Sequence, residues 1–170
     1  MTDEDSEEGR ARLRERAAAL EITSVDPDGP LAAAAMRRYV EELDARLPGG
    51  FDPGPLRPPD VVLVVTDPGQ PHPGDPVACG GLQEIAPGVG EVKRVWVDDA
   101  WRGAGLASRV VDHLEGLARE RGHRLVRLDT HRVLVEAIAL YERRGYRHVE
   151  RYNDNPYAQV FLEKALPSLG

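Results

Sequence analysis

The segment Arg102-Gly103-Ala104-Gly105-Leu106-Ala107 is where residue types and spacing most directly suggest chemistry. A β-prone run ending at Val97 leads through a short loop into these small residues, and a helical pattern follows. Glycine lets a ligand approach the backbone closely. The N–H groups at a helix start, together with the helix dipole, favour an anion. A pyrophosphate suits such a place, and so does a glycine-loosened loop before an ordinary helix. A dinucleotide turn matches less well. Gly103-x-Gly105-x-x-Ser108 is half of G-x-G-x-x-G, but Asp98 to Arg102 separate it from the strand, where the fingerprint needs its tight turn. Other chemistries do not assemble. His72, His113, His123, His131 and His148 lack metal-ligand spacing, so no metal is expected. Ser108 is outside any G-x-S-x-G. The single cysteine, Cys79, excludes an internal disulfide framework and reads as a buried, inert thiol.

These residues need a scaffold, and the hydrophobic periodicity supplies one. Strands are predicted at Glu21 to Val25, Val61 to Thr66, Val77 to Ile85, Val89 to Val97, Arg124 to Thr130, Tyr146 to Glu150 and Tyr157 to Leu162. Helices are predicted from Leu31 to Leu47, from about Gly103 to Arg121 and from Val133 to Arg144, each followed by glycine as a stop signal. Gly80-Gly81 inside a strand predicts a bulge or a close backbone approach. Asp67 to Pro76 reads as a proline-rich turn. The order implies a mixed sheet with helices on its faces.

The chain has 170 residues and a net charge of −7. Its length suits one domain, read as residues 20–170. Residues 1–19 read as an acidic tail, disordered or a loose helix. No apolar run approaches the ~20 residues of a membrane span, and the acidic start is unlike a signal peptide. A cytoplasmic protein without a membrane partner is therefore expected. Charge is uneven: residues 26–91 carry net −7 and residues 92–151 net +4. The acidic total argues against nonspecific nucleic-acid binding. The split is that of an anionic ligand on the basic part and a cationic one on the acidic part, or of ordinary solvated surface.

Several motifs in order resemble the GNAT superfamily of N-acetyltransferases. Arg102 to Ala107 matches its [QR]-x-x-G-x-[GA] motif. Ala139-Leu140-Tyr141-Glu142-Arg143-Arg144-Gly145-Tyr146 is similar to its Y-E-x-x-G-[FY] signature, and Leu128-Asp129-Thr130 ends the strand between them. Gly90-Glu91-Val92-Lys93-Arg94-Val95-Trp96-Val97 resembles the fourth strand of a bacterial subgroup, the acetyltransferase half of MarR/GNAT fusion proteins. Tyr39 to Leu43, Gly50-Phe51-Asp52 and Asn153 to Ala158 look like the same subgroup. The likeness runs over about residues 20–165.

The resemblance implies an α+β fold, with a mixed, mostly antiparallel sheet, a splayed central strand pair and helices on both faces. Acetyl-CoA would lie in the splay as cosubstrate. Its pyrophosphate would meet the backbone of Arg102, Gly103, Ala104, Gly105, Leu106 and Ala107, and its pantetheine arm the main chain of Val95, Trp96 and Val97. His131 stands where many members carry an asparagine that contacts the pantetheine; a histidine can still donate one hydrogen bond. Glu91 would be the general base, with Glu84 one strand earlier as the alternative and a salt-bridged strand carboxylate as the plain one. Tyr141 would be the general acid; it also lies on an apolar stripe, and a tyrosine can bury its ring while presenting its hydroxyl. The implied reaction is acetyl transfer to a primary amine of a small molecule. A protein or peptide amine, or a non-catalytic acyl-CoA-binding module, are the alternatives. No DNA binding is expected, and a homodimer is left open.

Overall fold

The computed structural model of the protein describes residues 6–69 and 74–168. The acidic start before Ser6, residues 70–73 with His72, and the last two residues lie outside them. The elements in chain order are α1 (Glu7–Ala19), β1 (Ile22–Val25), α2 (Pro30–Arg46), β2 (Val61–Thr66), β3 (Pro76–Ala86), β4 (Val89–Val97), α3 (Leu106–Glu120), β5 (Leu125–Thr130), α4 (Val135–Arg143), β6 (Arg147–Val149) and β7 (Val160–Ala165). One seven-stranded sheet runs β1-β2-β3-β4-β5-β7-β6. Every pairing is antiparallel except β4 with β5. No helix among the described residues is long and apolar enough to cross a membrane.

Both sheet faces are covered, which explains the unbroken apolar run Val61 to Val65. Val61, Leu63 and Val65 pack beneath α1 and α3, with Ala17, Val110 and Leu114. Val62 and Val64 pack on the other face beneath Ala32 and Ala35 of α2. α3 buries Leu106, Val110, Leu114 and Ala118 at helical spacing. Gly80 makes close packing of α3 possible, because a Cβ there would sit 2.7 Å from Val110 Cγ1 and 3.0 Å from Leu114 Cδ1.

The sheet departs from regularity at one place. β4 and β5 pair only from Val89 to Glu91 against Leu125 to Arg127. Beyond that they diverge, β4 keeping β3 and β5 keeping β7 as neighbours. Cys79 pairs with Trp96 and Gly81 with Lys93, so Arg94 and Val95 together oppose Gly80. Arg94 takes φ +56°, left-handed backbone that costs a non-glycine residue about 1–3 kcal/mol. A bulge of this kind bends and twists its strand. It also shifts the side-chain phase. Simple alternation puts Glu91 with Val95 and Val97, whereas Val92, Val95 and Val97 share the α3 face and Trp96 lies beneath α2. Glu91, paired with Gln83, is on the α2 side.

Of the two forms expected for residues 1–19, disorder or a loose helix, the described residues take the helix, and it is docked rather than loose. Ser6 Oγ accepts from Gly9 N–H at 3.0 Å and caps a helix. Ala17 is fully buried and Leu13 packs on the core. Arg109 donates to the carbonyls of Ala17 and Leu20 at 2.6 and 3.0 Å. Ala17, Leu13 and two backbone acceptors dock α1, so it carries almost no apolar stripe. The last strand is also displaced, spanning Val160–Ala165 rather than Tyr157 to Leu162. Asn153 and Asn155 use their side chains to turn the chain, and the charged Glu163-Lys164 pair belongs to the strand because Glu163 is held by Arg127 and Arg147.

Gly80→Ala should lower unfolding free energy by about 1–3 kcal/mol through overpacking. Gly116→Ala, within α3 and with open space at its Cβ, should raise it by about 0.5–1 kcal/mol. Urea midpoints of the two variants check both signs.

Candidate active site

β4 hands over to α3 through a tight connection. Asp98 Oδ1 accepts from Ala100 N–H at 2.9 Å and caps the 3-10 turn Asp99–Trp101. Trp101 is buried, with Arg16 4.8 Å over its ring. Gly103 and Gly105 follow at φ +76° and +86°, each with open space where a Cβ would stand. Gly105 is the N-cap of α3, and no side chain caps that end. The first intrahelical bond there is Arg109 N–H to Gly105 carbonyl. The N–H groups of Leu106, Ala107 and Ser108 precede it and suit an anion.

This turn closes one end of a cleft of about 890 Å³ in the β4–β5 splay. Val95, Trp96 and Val97 form one wall. Arg102, Gly103, Gly105, Leu106 and Ala107 line the end, and Tyr141 of α4 lies across from them. Ala104 does not join them, being buried in the core. The Arg102 guanidinium is taken up within the chain. It pairs with Glu42, reaches Asp99 Oδ1 at 2.5 Å and donates to the Val97 carbonyl at 3.3 Å. Tyr141 packs edge-on to Tyr146, ring centroids 5.4 Å apart. Burial pushes its hydroxyl above the usual tyrosine range, so it stays protonated. A buried carboxylate fixes α4 here: Glu115 accepts from Arg144 at 2.6 Å and from Lys164 at 2.5 Å, and Arg144 also donates to Ser108 Oγ at 3.0 Å.

A second cleft, about 640 Å³, continues the splay toward the β4–β5 pairing. Glu91 stands in its wall, 6 % exposed. Tyr152 Oη donates to Glu91 Oε2 at 2.6 Å, and Lys93 Nζ lies 3.4 Å from Oε1. Burial, then the Glu91 carboxylate, raise the Tyr152 pKa, so this phenol remains a donor. Asp129 accepts from the side-chain amides of Asn153 and Asn155 at 2.6 and 3.3 Å. Tyr157 Oη donates to the Asp52 carbonyl at 2.9 Å and accepts from the Asp52 N–H at 3.0 Å, while Phe51 packs on Tyr157 with centroids 4.7 Å apart. These contacts bridge the 48–60 and 150–159 loops beside the cleft.

His131 lines this second cleft, not the one beside the glycine turn, and its Nδ1 accepts from Val133 N–H at 3.1 Å. Glu84 is in neither. It is half-exposed on the α3 side, 3.0 Å from His123 Nε2. The charge halves do not separate into an acidic and a basic face at the second cleft. Asp52, Glu91 and Asp129 stand with Lys93, Arg94 and Arg127 in the second cleft, because β4 and β5 bring the basic half of the chain alongside the acidic one.

Tyr39, Arg94, Asp129 and Thr130 line both clefts and mark their junction. Sequence alone assigns no role to Arg94, Tyr152 or the Asn153–Asp129 contact. The Asn153-Asp154-Asn155-Pro156-Tyr157 turn was visible and is the signal that leads to the last two. A left-handed arginine leaves no such sign. Cys79 is buried behind the bulge, its Sγ 3.3 Å from the Arg94 carbonyl, and burial pushes the thiol up to about 12. Among the described residues no group of three or more His, Cys, Asp or Glu could hold a metal ion.

Residues 31–146 match the Acetyltransferase (GNAT) family. An IAA acetyltransferase of Azospirillum brasilense is 30% identical over 153 residues, covering 82% of this chain and 95% of the relative. The N-acetyltransferase YjgM of Escherichia coli K12, itself uncharacterized, is 30% identical over 131 residues, 72% of this chain and 78% of the relative. A Klebsiella pneumoniae structure assigned as an acyl-CoA N-acyltransferase has TM-score 0.64 at 31% identity, covering 88% of this chain and 99% of the other. A GNAT-family acetyltransferase from Staphylococcus aureus Mu50 has TM-score 0.72 at 13% identity, covering 86% and 100%, and speaks to the fold alone. The architecture is the expected α+β GNAT fold: a mixed, mostly antiparallel sheet with a splayed β4–β5 pair. The chain belongs to the GNAT acetyltransferase family and is an N-acetyltransferase.

Proposed function

We propose that the chain transfers the acetyl group of acetyl-CoA to a primary amine of a small molecule, by direct attack within a ternary complex. Members of this family draw on acyl-CoA donors. The observation that carries the reading is the continuous splay, with an uncapped, glycine-led helix start at one end and a buried carboxylate at the other. The residues beside α3 fit a pyrophosphate: open left-handed glycines, orphan N–H groups and no side chain in the way. In this reading the backbone of Arg102, Gly103, Gly105, Leu106 and Ala107 holds the pyrophosphate, and the main chain of Val95 to Val97 pairs with the pantetheine arm. His131 lines the acceptor side, so no role at the donor is assigned to it.

Bound acetyl-CoA supplies an activated thioester. An alkylammonium acceptor, with pKa ~10.4, must lose a proton before it attacks. Glu91 receives that proton, held in place by Tyr152 and Lys93. The nitrogen bonds to the acetyl carbon, the carbon–sulfur bond breaks, the Tyr141 hydroxyl gives a proton to the departing thiolate, and the second proton on the new amide nitrogen returns to the Tyr141 phenolate. Glu84, bound to His123 on the other face, is the weaker candidate for the base. Direct attack suits Cys79, whose raised pKa leaves almost no thiolate to carry an acetyl group. The name of the Azospirillum relative, an IAA acetyltransferase, favours a small-molecule acceptor. So does the Phe51–Tyr157 bridge, which a protein chain would have to pass. We assign residues 20–170 to the acetyltransferase domain, with α1 as an added helix, and take its relation to the acetyltransferase half of MarR/GNAT fusions as part of the proposal.

Gly105→Val should weaken acetyl-CoA binding, by calorimetry, more than Arg102→Ala does. The first removes the close backbone approach, whereas the second removes a guanidinium already held by Glu42 and Asp99. A larger loss in Arg102→Ala would make that side chain the main phosphate contact.

Tyr141→Phe should keep acetyl-CoA affinity and lower kcat by about 10²–10⁴-fold, the range for a general acid. Because burial raises the Tyr141 pKa, wild-type kcat should not fall from its deprotonation as pH approaches the ordinary tyrosine value of ~10. A two- to threefold effect, with chemistry rate-limiting, would return Tyr141 to a packing role.

Glu91→Gln should lose most activity near neutral pH and recover toward the amine's own pKa of ~10.4, where the acceptor arrives neutral. Parallel pH–rate profiles of Glu91→Gln and Glu84→Gln locate the base. The pH-dependent loss appearing only in Glu84→Gln would move it one strand over.

A further inference from the structure

Most charges lining the two clefts are neutralised inside the chain. Glu91 faces Lys93, Arg127 faces Glu163, and Arg144 and Lys164 share Glu115. Two at the junction are not: Arg94 and Asp129 form no ion pair with any side chain among the described residues, or with each other. Arg94 donates to the Arg57 carbonyl at 2.7 Å and to no carboxylate. Burial lowers its pKa, the mark of a cation that has lost water without gaining a full counter-charge. Asp129 is held by the two neutral amides of Asn153 and Asn155. These fix its carboxylate without neutralising it. The backbone at Arg94 is left-handed, so a residue ill-suited to that conformation occupies the point where both clefts meet.

We propose that the acceptor is an amine carrying a carboxylate a few bonds from its nitrogen, as in an amino acid. Arg94 holds that carboxylate, and Asp129 draws the ammonium to the junction beside Glu91. This rests on reading the second cleft as the acceptor side. A guanidinium fork matches a carboxylate with two parallel hydrogen bonds. One zwitterion offsets both uncompensated charges at once. Phe51, Leu56 and Tyr157 give the same cleft an apolar wall, which suits an apolar side chain on the acceptor.

The test measures CoA release over matched pairs that differ only in the carboxylate: L-leucine against 3-methylbutylamine, and L-phenylalanine against 2-phenylethylamine. The remaining proteinogenic amino acids complete the panel. In the wild type kcat/KM should favour the acid by about tenfold or more, the scale of a hydrogen-bonded charge. Arg94→Gln should bring that ratio close to one. Arg94→Gly is the second variant, because glycine adopts φ +56° freely and keeps the bulge. A wild-type ratio near one, a ratio preserved in both variants, or no acetylation of any amino acid would overturn the proposal. So would acetyl-CoA affinity falling in the variants as far as the ratio does, since Arg94 would then serve the donor. Calorimetry with acetyl-CoA separates the two levels. Wild-type protein that fails to bind acetyl-CoA sinks the underlying reading of the clefts, whereas binding without preference for the acid sinks only this inference.

Discussion

A β-sheet satisfies its backbone N–H and C=O groups strand by strand, and here that rule is broken between β4 and β5 after Glu91. The bulge at Arg94 and Val95 adds one residue to β4 without one on β3. The added residue turns β4 away from β5 and leaves a row of main-chain groups facing the gap. It also re-aims the side chains: Val95 and Val97 toward α3, Trp96 toward α2. Both clefts, and the line along which they meet, descend from that single offset.

An open sheet needs other ties. Beside the glycine turn Glu115, nearly inaccessible to solvent, joins α3 to Arg144 after α4 and to Lys164 of β7. A buried carboxylate with two cationic partners is costly to disrupt, so α4 and Tyr141 keep their place against the glycine turn. Along the second cleft the ties come from loop side chains: Asn153 and Asn155 on Asp129, Tyr152 on Glu91, and Tyr157 on the Asp52 main chain. The first cleft is stitched by ion pairs around Glu115, and the second by neutral loop side chains that orient Asp129 and Glu91, of which only Glu91 also has a cation, Lys93, beside it.

The sequence makes the scaffold readable wherever periodicity and punctuation agree. The apolar run of β2, the stripe of α3 and the glycines at 103 and 105 lead to correct elements. Glu91 and Tyr141 are found through a family likeness, and the structure puts them in adjoining clefts. What stays hidden depends on contacts distant in sequence. Helix α1 docks through Arg109, about ninety residues away. The Tyr152–Glu91 bond spans sixty-one residues. The bulge leaves no glycine at Arg94 to announce it, so alternation along β4 gives the wrong face for Glu91. The end of β7 is masked by Glu163-Lys164, charges whose partners belong to other strands and helices.

Cys79 gives the bulge a chemical reporter. Its thiol lies behind the strand pair, against the Arg94 carbonyl and next to Trp96 in the α2-side core. Burial, which leaves Cys79 2 % exposed and pushes its pKa up to about 12, shields the native thiol from alkylating reagents. Alkylation then requires the α2-side layer to open, by α2 lifting from the sheet or by β3 and β4 parting. Since there is one cysteine in the chain, the rate at which it reacts is a direct clock for local opening at the offset that creates both clefts.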